Sequence, residues 1–87
     1  MARYRKKPVV IEIEAVQWTG ENFDEIKKFC PNLVYHGTVG EENDCLLIET
    51  LEGGMRARVD DFIIQGVKGE FYPCKLDIFE ATYEVVE

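Results

Sequence analysis

The chain has 87 residues, of which 46% are hydrophobic and 11% aromatic. This composition is typical of one small folded domain, and no apolar run is long enough for a membrane-spanning helix. The formal net charge is −7, and four of the ten basic residues lie at positions 3, 5, 6 and 7. The six basic and 17 acidic residues from Pro8 onward give this part a net charge of −11, which argues against nucleic-acid binding by the acidic body.

The uneven charge predicts a flexible basic arm over residues 1–7, followed by a single α+β domain over residues 8–87. The alternative is an arm that folds over an acidic surface or contacts an anionic partner. A signal peptide is not indicated, because Glu12 and Glu14 interrupt the apolar stretch that begins at Val9. The sequence contains three cysteines, and they are widely spaced. An odd number of cysteines without close pairs is typical of reduced thiols in a cytoplasmic protein.

Residues 8–18 are predicted to form the first strand, with Ile13 and Ala15 on one face. Val16 and Trp18 are apolar on the opposite phase, which indicates either a bulge near Ala15 or a strand end whose Trp18 packs under the next element. A helix is predicted over about residues 22–30. Asn22 and Glu25 have the spacing of a capping box, and Pro31 ends the helix.

From Leu33 onward the pattern predicts short strands at 33–36, 45–51, 55–59, 62–65 and 70–74, joined by loops or turns at 37–44, 52–54, 60–61 and 66–69. Pro73 places the strand at 70–74 at a sheet edge. Asp77 and Glu80 predict a second capping box that opens a helical turn, and a last strand follows at 83–86. The predicted fold class is therefore α+β: a small antiparallel sheet of five or six short strands, packed with one α-helix and a helical turn near the C-terminus.

Catalytic and metal chemistry find little support in the sequence. His36, Cys30, Cys45 and Cys74 could supply four zinc ligands, but their spacings match none of the usual ligand pairs. Cys74 lies beside Lys75 and near Asp77, which could lower its pKa, but a cysteine nucleophile also needs an oriented base. We therefore predict no catalytic residue, no metal site and no cofactor.

One set of side chains is typical of a pocket for a nucleotide or another small anion. Arg56 and Arg58 lie on the solvent face of a predicted strand, and Tyr72 and Lys75 follow them in the sequence. The alternative interpretation is core packing for the aromatic side chains and a solvated strand face for the arginines. These four residues are the predicted ligand-binding set.

Two segments resemble a family of short bacteriophage and prophage proteins. The first runs from Tyr4 to Trp18 and contains RKKPVVIE, and the second runs from Gly66 to Glu84 and contains GVKGEFYPCK. The second half is similar to the PGDYG-motif family, whose namesake residues stand here as Val59-Asp60-Asp61-Phe62. Asp61 and the aromatic are kept, whereas the proline and glycine of the tight turn are not. The resemblance implies a phage or prophage origin and no established activity.

The function hypothesis is an accessory protein in the cytoplasm of the bacterial host cell. It would bind a host protein or a small anionic or nucleotide ligand and would not carry out catalysis. The alternatives are a small ligand-processing enzyme using Arg56, Arg58 and Cys74, or a structural phage component. A homodimer is predicted, because a chain this small leaves sheet edges exposed.

Overall fold

The computed structural model describes residues 2–6, 12–36, 45–50 and 52–86. In chain order they form β1 (Ala2–Lys6), β2 (Glu12–Gln17), α1 (Phe23–Phe29), β3 (Val34–His36), β4 (Cys45–Thr50), β5 (Gly53–Arg58), β6 (Phe62–Gln65), β7 (Phe71–Cys74), α2 (Leu76–Thr82) and β8 (Tyr83–Val85). The predicted α+β class is confirmed. The strands are divided between a five-stranded sheet in the order β7-β6-β2-β1-β8 and a three-stranded sheet in the order β3-β4-β5, and all pairs are antiparallel.

The centre of the five-stranded sheet, at β2 and β6, is buried on both faces. On one face it packs against α1 and the three-stranded sheet in an inter-sheet core that includes Val16, Ile63, Leu46, Ile48, Ala57, Ile26, Cys30, Trp18 and Leu33. On the other face it packs against α2 in a second core of Ile13, Ala15, Phe62, Ile64 and Phe79. Burial of three consecutive residues in β6 (Phe62, Ile63 and Ile64) follows from this arrangement, because side chains alternate between two covered faces.

The change of phase in β2 has the same cause. Ala15 lies opposite Ile64 and Val16 lies opposite Ile63 in an uninterrupted register, so no bulge is present near Ala15. Ala15 faces the α2 core and Val16 faces the inter-sheet core, while Trp18 at the strand end packs with Ile26 of α1. The second of the two predicted alternatives is therefore confirmed. Residues 8–11 of the predicted strand lie outside the described residues, as does the predicted loop at 37–44.

The prediction of a flexible basic arm is corrected for residues 2–6, which form β1 between β2 and β8. The reason is Tyr4. Its ring packs edge-on against Phe79 and Phe62 at centroid distances of 4.7 and 5.8 Å, and those two rings stack on each other at 3.8 Å. One aromatic side chain between basic neighbours thus anchors the strand to the α2 core, while Arg3 forms an ion pair with Glu12 at 3.3 Å. Met1 and Lys7 lie outside the described residues.

The helix starts differ from their predicted caps. Asn22 does cap α1 by position, but its side chain makes no hydrogen bond to the helix N–H groups. Instead its amide Nδ2 donates to the Gln17 carbonyl and to Glu25 Oε1, each at 2.8 Å, so it ties the end of β2 to the helix. α2 begins at Leu76 with Lys75 as N-cap, and Asp77 accepts a hydrogen bond from the backbone N–H of Ile78 inside the first turn. Among the described residues, no helix is long and apolar enough to cross a membrane.

Candidate functional site

The β4–β5 hairpin positions the two predicted ligand-binding arginines. Ala57 is fully buried in the inter-sheet core, so Arg56 and Arg58, one residue to either side, project from the opposite, outer face of the sheet, and both are exposed. Half-buried Leu47 lies opposite Arg56 in the register. We call Leu47, Arg56 and Arg58 the cationic face.

Neither arginine side chain makes a hydrogen bond or ion pair with any described residue. Gly54 precedes Arg56 by two residues on the same face, and a Cβ there would meet Leu47 Cδ1 at 3.2 Å. The missing side chain leaves space for Leu47 to lie against the β5 backbone. The cationic face therefore combines two guanidinium groups that have no partner among the described residues with the apolar side chain of Leu47 on the neighbouring strand.

The turn from β5 to β6 has the geometry of a type II turn. Its closing hydrogen bond runs from the Asp61 N–H to the Arg58 carbonyl at 3.0 Å, and its third residue, Asp60, has a φ of +81°. Proline and glycine are the preferred central residues of this turn, and Val59 and Asp60 occupy those positions here. The predicted turn between these two strands is therefore confirmed, and its conformation is kept without the proline and glycine that favour it.

Asp61 is a buried carboxylate that the sequence indicated only as part of a turn. It is 5% exposed, and its Oδ2 accepts a hydrogen bond from the Arg58 N–H at 2.9 Å. Lys75 Nζ lies 3.4 Å from the same oxygen, with 57% of the lysine side chain exposed. We call Asp61, Lys75 and the Arg58 main chain the Asp61 corner. The retained Asp of the namesake motif was the only signal in the sequence that pointed to it.

Tyr72 lies on the α2 side of the five-stranded sheet and packs against the α2 core. Burial raises the pKa of its hydroxyl well above the usual range, and a hydrogen bond with the Tyr83 side chain raises it further. The structure therefore connects Lys75 and Arg58 through Asp61, whereas Tyr72 packs in a different core from the one beneath Arg56.

The three cysteines do not form a site. Cys30 is buried in the inter-sheet core and Cys74 packs against the α2 core, on the opposite face of the five-stranded sheet. Burial raises the pKa of the Cys74 thiol, and the charges of Asp61 and Asp77 raise it further. The predicted lowering of this pKa is wrong, because burial and, after it, the nearby carboxylates disfavour the thiolate. Among the described residues, no group of three His, Cys, Asp or Glu residues could hold a metal ion; the His36 side chain lies outside this description.

Clefts do not coincide with the predicted set. Five clefts along the described residues have walls that include neither arginine nor Lys75. Tyr72 does contribute to one, a cleft of about 370 Å³ where the β4–β5 hairpin overhangs β7, with Met55, Phe71 and Pro73 in its wall. The exposed arginines thus lie outside these five clefts.

Comparison of the chain with protein-family models, curated proteins and solved structures finds no match.

Proposed function

We propose that this protein acts by binding an acidic segment of another protein on the cationic face. The observation that carries the proposal is the pair of exposed arginines, whose guanidinium groups have no partner among the described residues. The chain has a net charge of −7, yet neither guanidinium group forms an ion pair with a carboxylate of the described residues. Two guanidinium groups on one face of a strand that lack such a partner favour recognition of an external anion.

The spacing of the arginines favours an extended protein segment over a small ligand. Residues two apart on a strand are separated by about 6.6 Å, which is also the separation of alternate residues in a second extended chain. The guanidinium fork pairs with carboxylates in two-bond geometry, and Leu47, opposite Arg56, offers an apolar contact beside it. The exposure of Arg56 and Arg58 outside the five clefts also favours a macromolecule, because small-molecule sites are usually concave.

The resemblance to phage and prophage proteins supports an accessory role in the cytoplasm of a bacterial host cell, with a host protein as the partner. A homodimer is a further part of the proposal. It is supported by the open edge of β8, where Val85 is 60% exposed, and by Ile78 on α2, which is 56% exposed. The raised pKa of Cys74 weighs against the alternative of an enzyme that uses this thiol.

The test uses a synthetic probe: an acetylated and amidated heptapeptide in which threonine and glutamate alternate. Its affinity is measured by isothermal titration calorimetry at low salt. The double variant Arg56→Glu/Arg58→Glu should weaken binding at least about tenfold, because each carboxylate then faces a like charge.

The matched control is Lys28→Glu/Lys68→Glu, which changes the net charge equally at two exposed lysines on other elements. It should retain most of the affinity. Equal losses in both double variants would show a general charge effect and contradict a site at Arg56 and Arg58. Absence of binding by the unaltered protein would overturn the proposed function itself.

A further inference from the structure

The open edge of β5 can be identified from its hydrogen bonds. The Arg58 N–H donates to the Asp61 carboxylate and the Arg58 carbonyl accepts from the Asp61 N–H, so both groups of Arg58 point away from β4. Backbone groups in an antiparallel ladder alternate in direction along the strand. The N–H and C=O of Arg56 and Gly54 therefore also point away from β4, while those of Met55 and Ala57 point toward it.

This assignment agrees with the hairpin that joins β4 and β5. Thr50 and Gly53 are paired across a two-residue loop, and the pair that closes such a loop exchanges hydrogen bonds. Every second residue from Gly53, namely Met55 and Ala57, therefore forms backbone hydrogen bonds with β4. The residues between them do not. β5 ends the three-stranded sheet, and among the described residues nothing accepts from or donates to the outward groups of Gly54 and Arg56.

The other sheet edges are less suited to pairing. β3 and β8 have three residues each, and β7 contains Pro73, which lacks an N–H. β5 has six residues, and its outward groups lie between exposed side chains. It is thus the longest edge without an internal proline among the described strands.

From this geometry we propose that β5 binds its partner by strand addition. An extended segment with acidic residues at alternate positions pairs with the backbone of Gly54 and Arg56, and its carboxylates contact the Arg56 and Arg58 side chains. The inference rests on the proposed function, and it specifies the binding mode and the partner sequence pattern. Period two places every second side chain of the added strand on the outer face, beside the arginines. Main-chain hydrogen bonds then supply affinity, and the charge pattern supplies specificity.

The test uses N-methylated versions of the alternating heptapeptide. Methylation removes one N–H at each treated residue, and only alternate residues of an added strand direct their N–H toward β5. One set of methylated peptides, either at the glutamates or at the threonines, should lose at least about tenfold in affinity. The other set should bind like the parent peptide. Loss in the glutamate set indicates an antiparallel added strand, and loss in the threonine set indicates a parallel one.

A second readout is amide hydrogen exchange of the protein in its peptide complex. The Arg56 and Gly54 amides should become protected on binding, whereas the Met55 amide, which already pairs with β4, should change little. Arginine-dependent binding that tolerates both methylated sets and leaves these amides unprotected would overturn strand addition and leave the proposed function intact. Binding that ignores the Arg56→Glu/Arg58→Glu change would instead contradict the proposed function.

Discussion

The Asp61 corner and the cationic face both contain cationic residues from the predicted set, but these have different surroundings. At the corner, Lys75 has a buried carboxylate within 3.4 Å. On the cationic face, Arg56 has no partner among the described residues. Arg58 contributes to both regions, with its main chain at the corner and its side chain on the face. Lys75 thus contacts the turn between β5 and β6 through Asp61, whereas the arginine side chains have no partner among the described residues, which is why we propose them as the binding site.

The largest expected effect is that of Asp61→Ala at the corner. The change leaves the partly buried N–H of Arg58 without its acceptor, which should lower the free energy of unfolding by about 1–3 kcal/mol. Urea unfolding monitored by Trp18 fluorescence measures this loss. Asp61→Asn is the matched control, since its side-chain oxygen can still accept the hydrogen bond, and it should lose less. Equal stability of Asp61→Ala and the parent would show that the corner contributes nothing.

High pH should destabilise the fold through groups away from the cationic face. Burial raises the pKa of Cys30, Cys74 and Tyr72 above ordinary values of 9.0 for the thiols and 10.0 for the phenol. Each group is neutral when protonated, so the folded chain keeps a proton that the unfolded chain releases. Their contribution to stability is complete below the ordinary pKa and is lost as the pH rises through the folded pKa.

Urea unfolding at pH 7, 9 and 10 checks this direction. The free energy of unfolding should fall above pH 9, and Tyr72→Phe should make the fall smaller by removing one of the three titrating groups. A free energy of unfolding that rises between pH 9 and pH 10 would contradict the raised pKa values.

A smaller effect, of opposite sign, is expected at the turn between the two regions. Asp60 adopts a positive φ that glycine accepts without steric cost. Relief of this backbone strain by Asp60→Gly should raise the free energy of unfolding by about 0.5–1 kcal/mol. The larger conformational entropy of glycine in the unfolded chain offsets part of this gain. Differential scanning calorimetry would detect this as a higher Tm. A lower Tm would indicate that the Asp60 side chain has a role beyond the turn.

The smallest change in the free energy of unfolding is expected for Arg56→Ala. This substitution removes an exposed side chain that has no partner among the described residues. Its free energy of unfolding should stay within about 0.5 kcal/mol of the parent. Lys75→Ala should lose somewhat more, up to about 1 kcal/mol, because an exposed ion pair is weak but not absent. A larger loss for Arg56→Ala than for Lys75→Ala, measured by the same urea unfolding, would reverse the assignment of the two regions.

Much of the fold could be predicted from local patterns. The solvent face of Arg56 and Arg58, a helix within about residues 22–30 and the edge position of Pro73 depend on neighbouring residues, and the structure confirms them. Of the residues that alternate with the arginines only Ala57 is buried, whereas Met55 and Val59 are each 40% exposed. The division into two sheets could not be predicted, because it depends on which faces meet. The apolar run in β6 predicts a strand that is covered on both faces, but it does not indicate whether a second sheet or a helix covers each face.

The candidate site was predicted only in part for the same reason. Arg56 and Arg58 could be placed on a solvent face by period two. The position of Tyr72 behind the five-stranded sheet and the burial of Asp61 are tertiary features that no local pattern encodes. At the N-terminus the four basic residues led to the prediction of a flexible arm. The contact of the Tyr4 ring with Phe79, which anchors β1, could not be predicted from the neighbouring residues.

Titration of ¹⁵N-labelled protein with the alternating threonine–glutamate heptapeptide, followed by NMR, tests most directly whether the peptide binds on β5. We expect the largest amide shifts from Gly54 to Arg58 and at Leu47, smaller shifts at Asp61 and almost none on α1. Shifts centred on Lys27 and Lys28 of α1, or spread evenly over all exposed lysines and arginines, would contradict a binding site on β5.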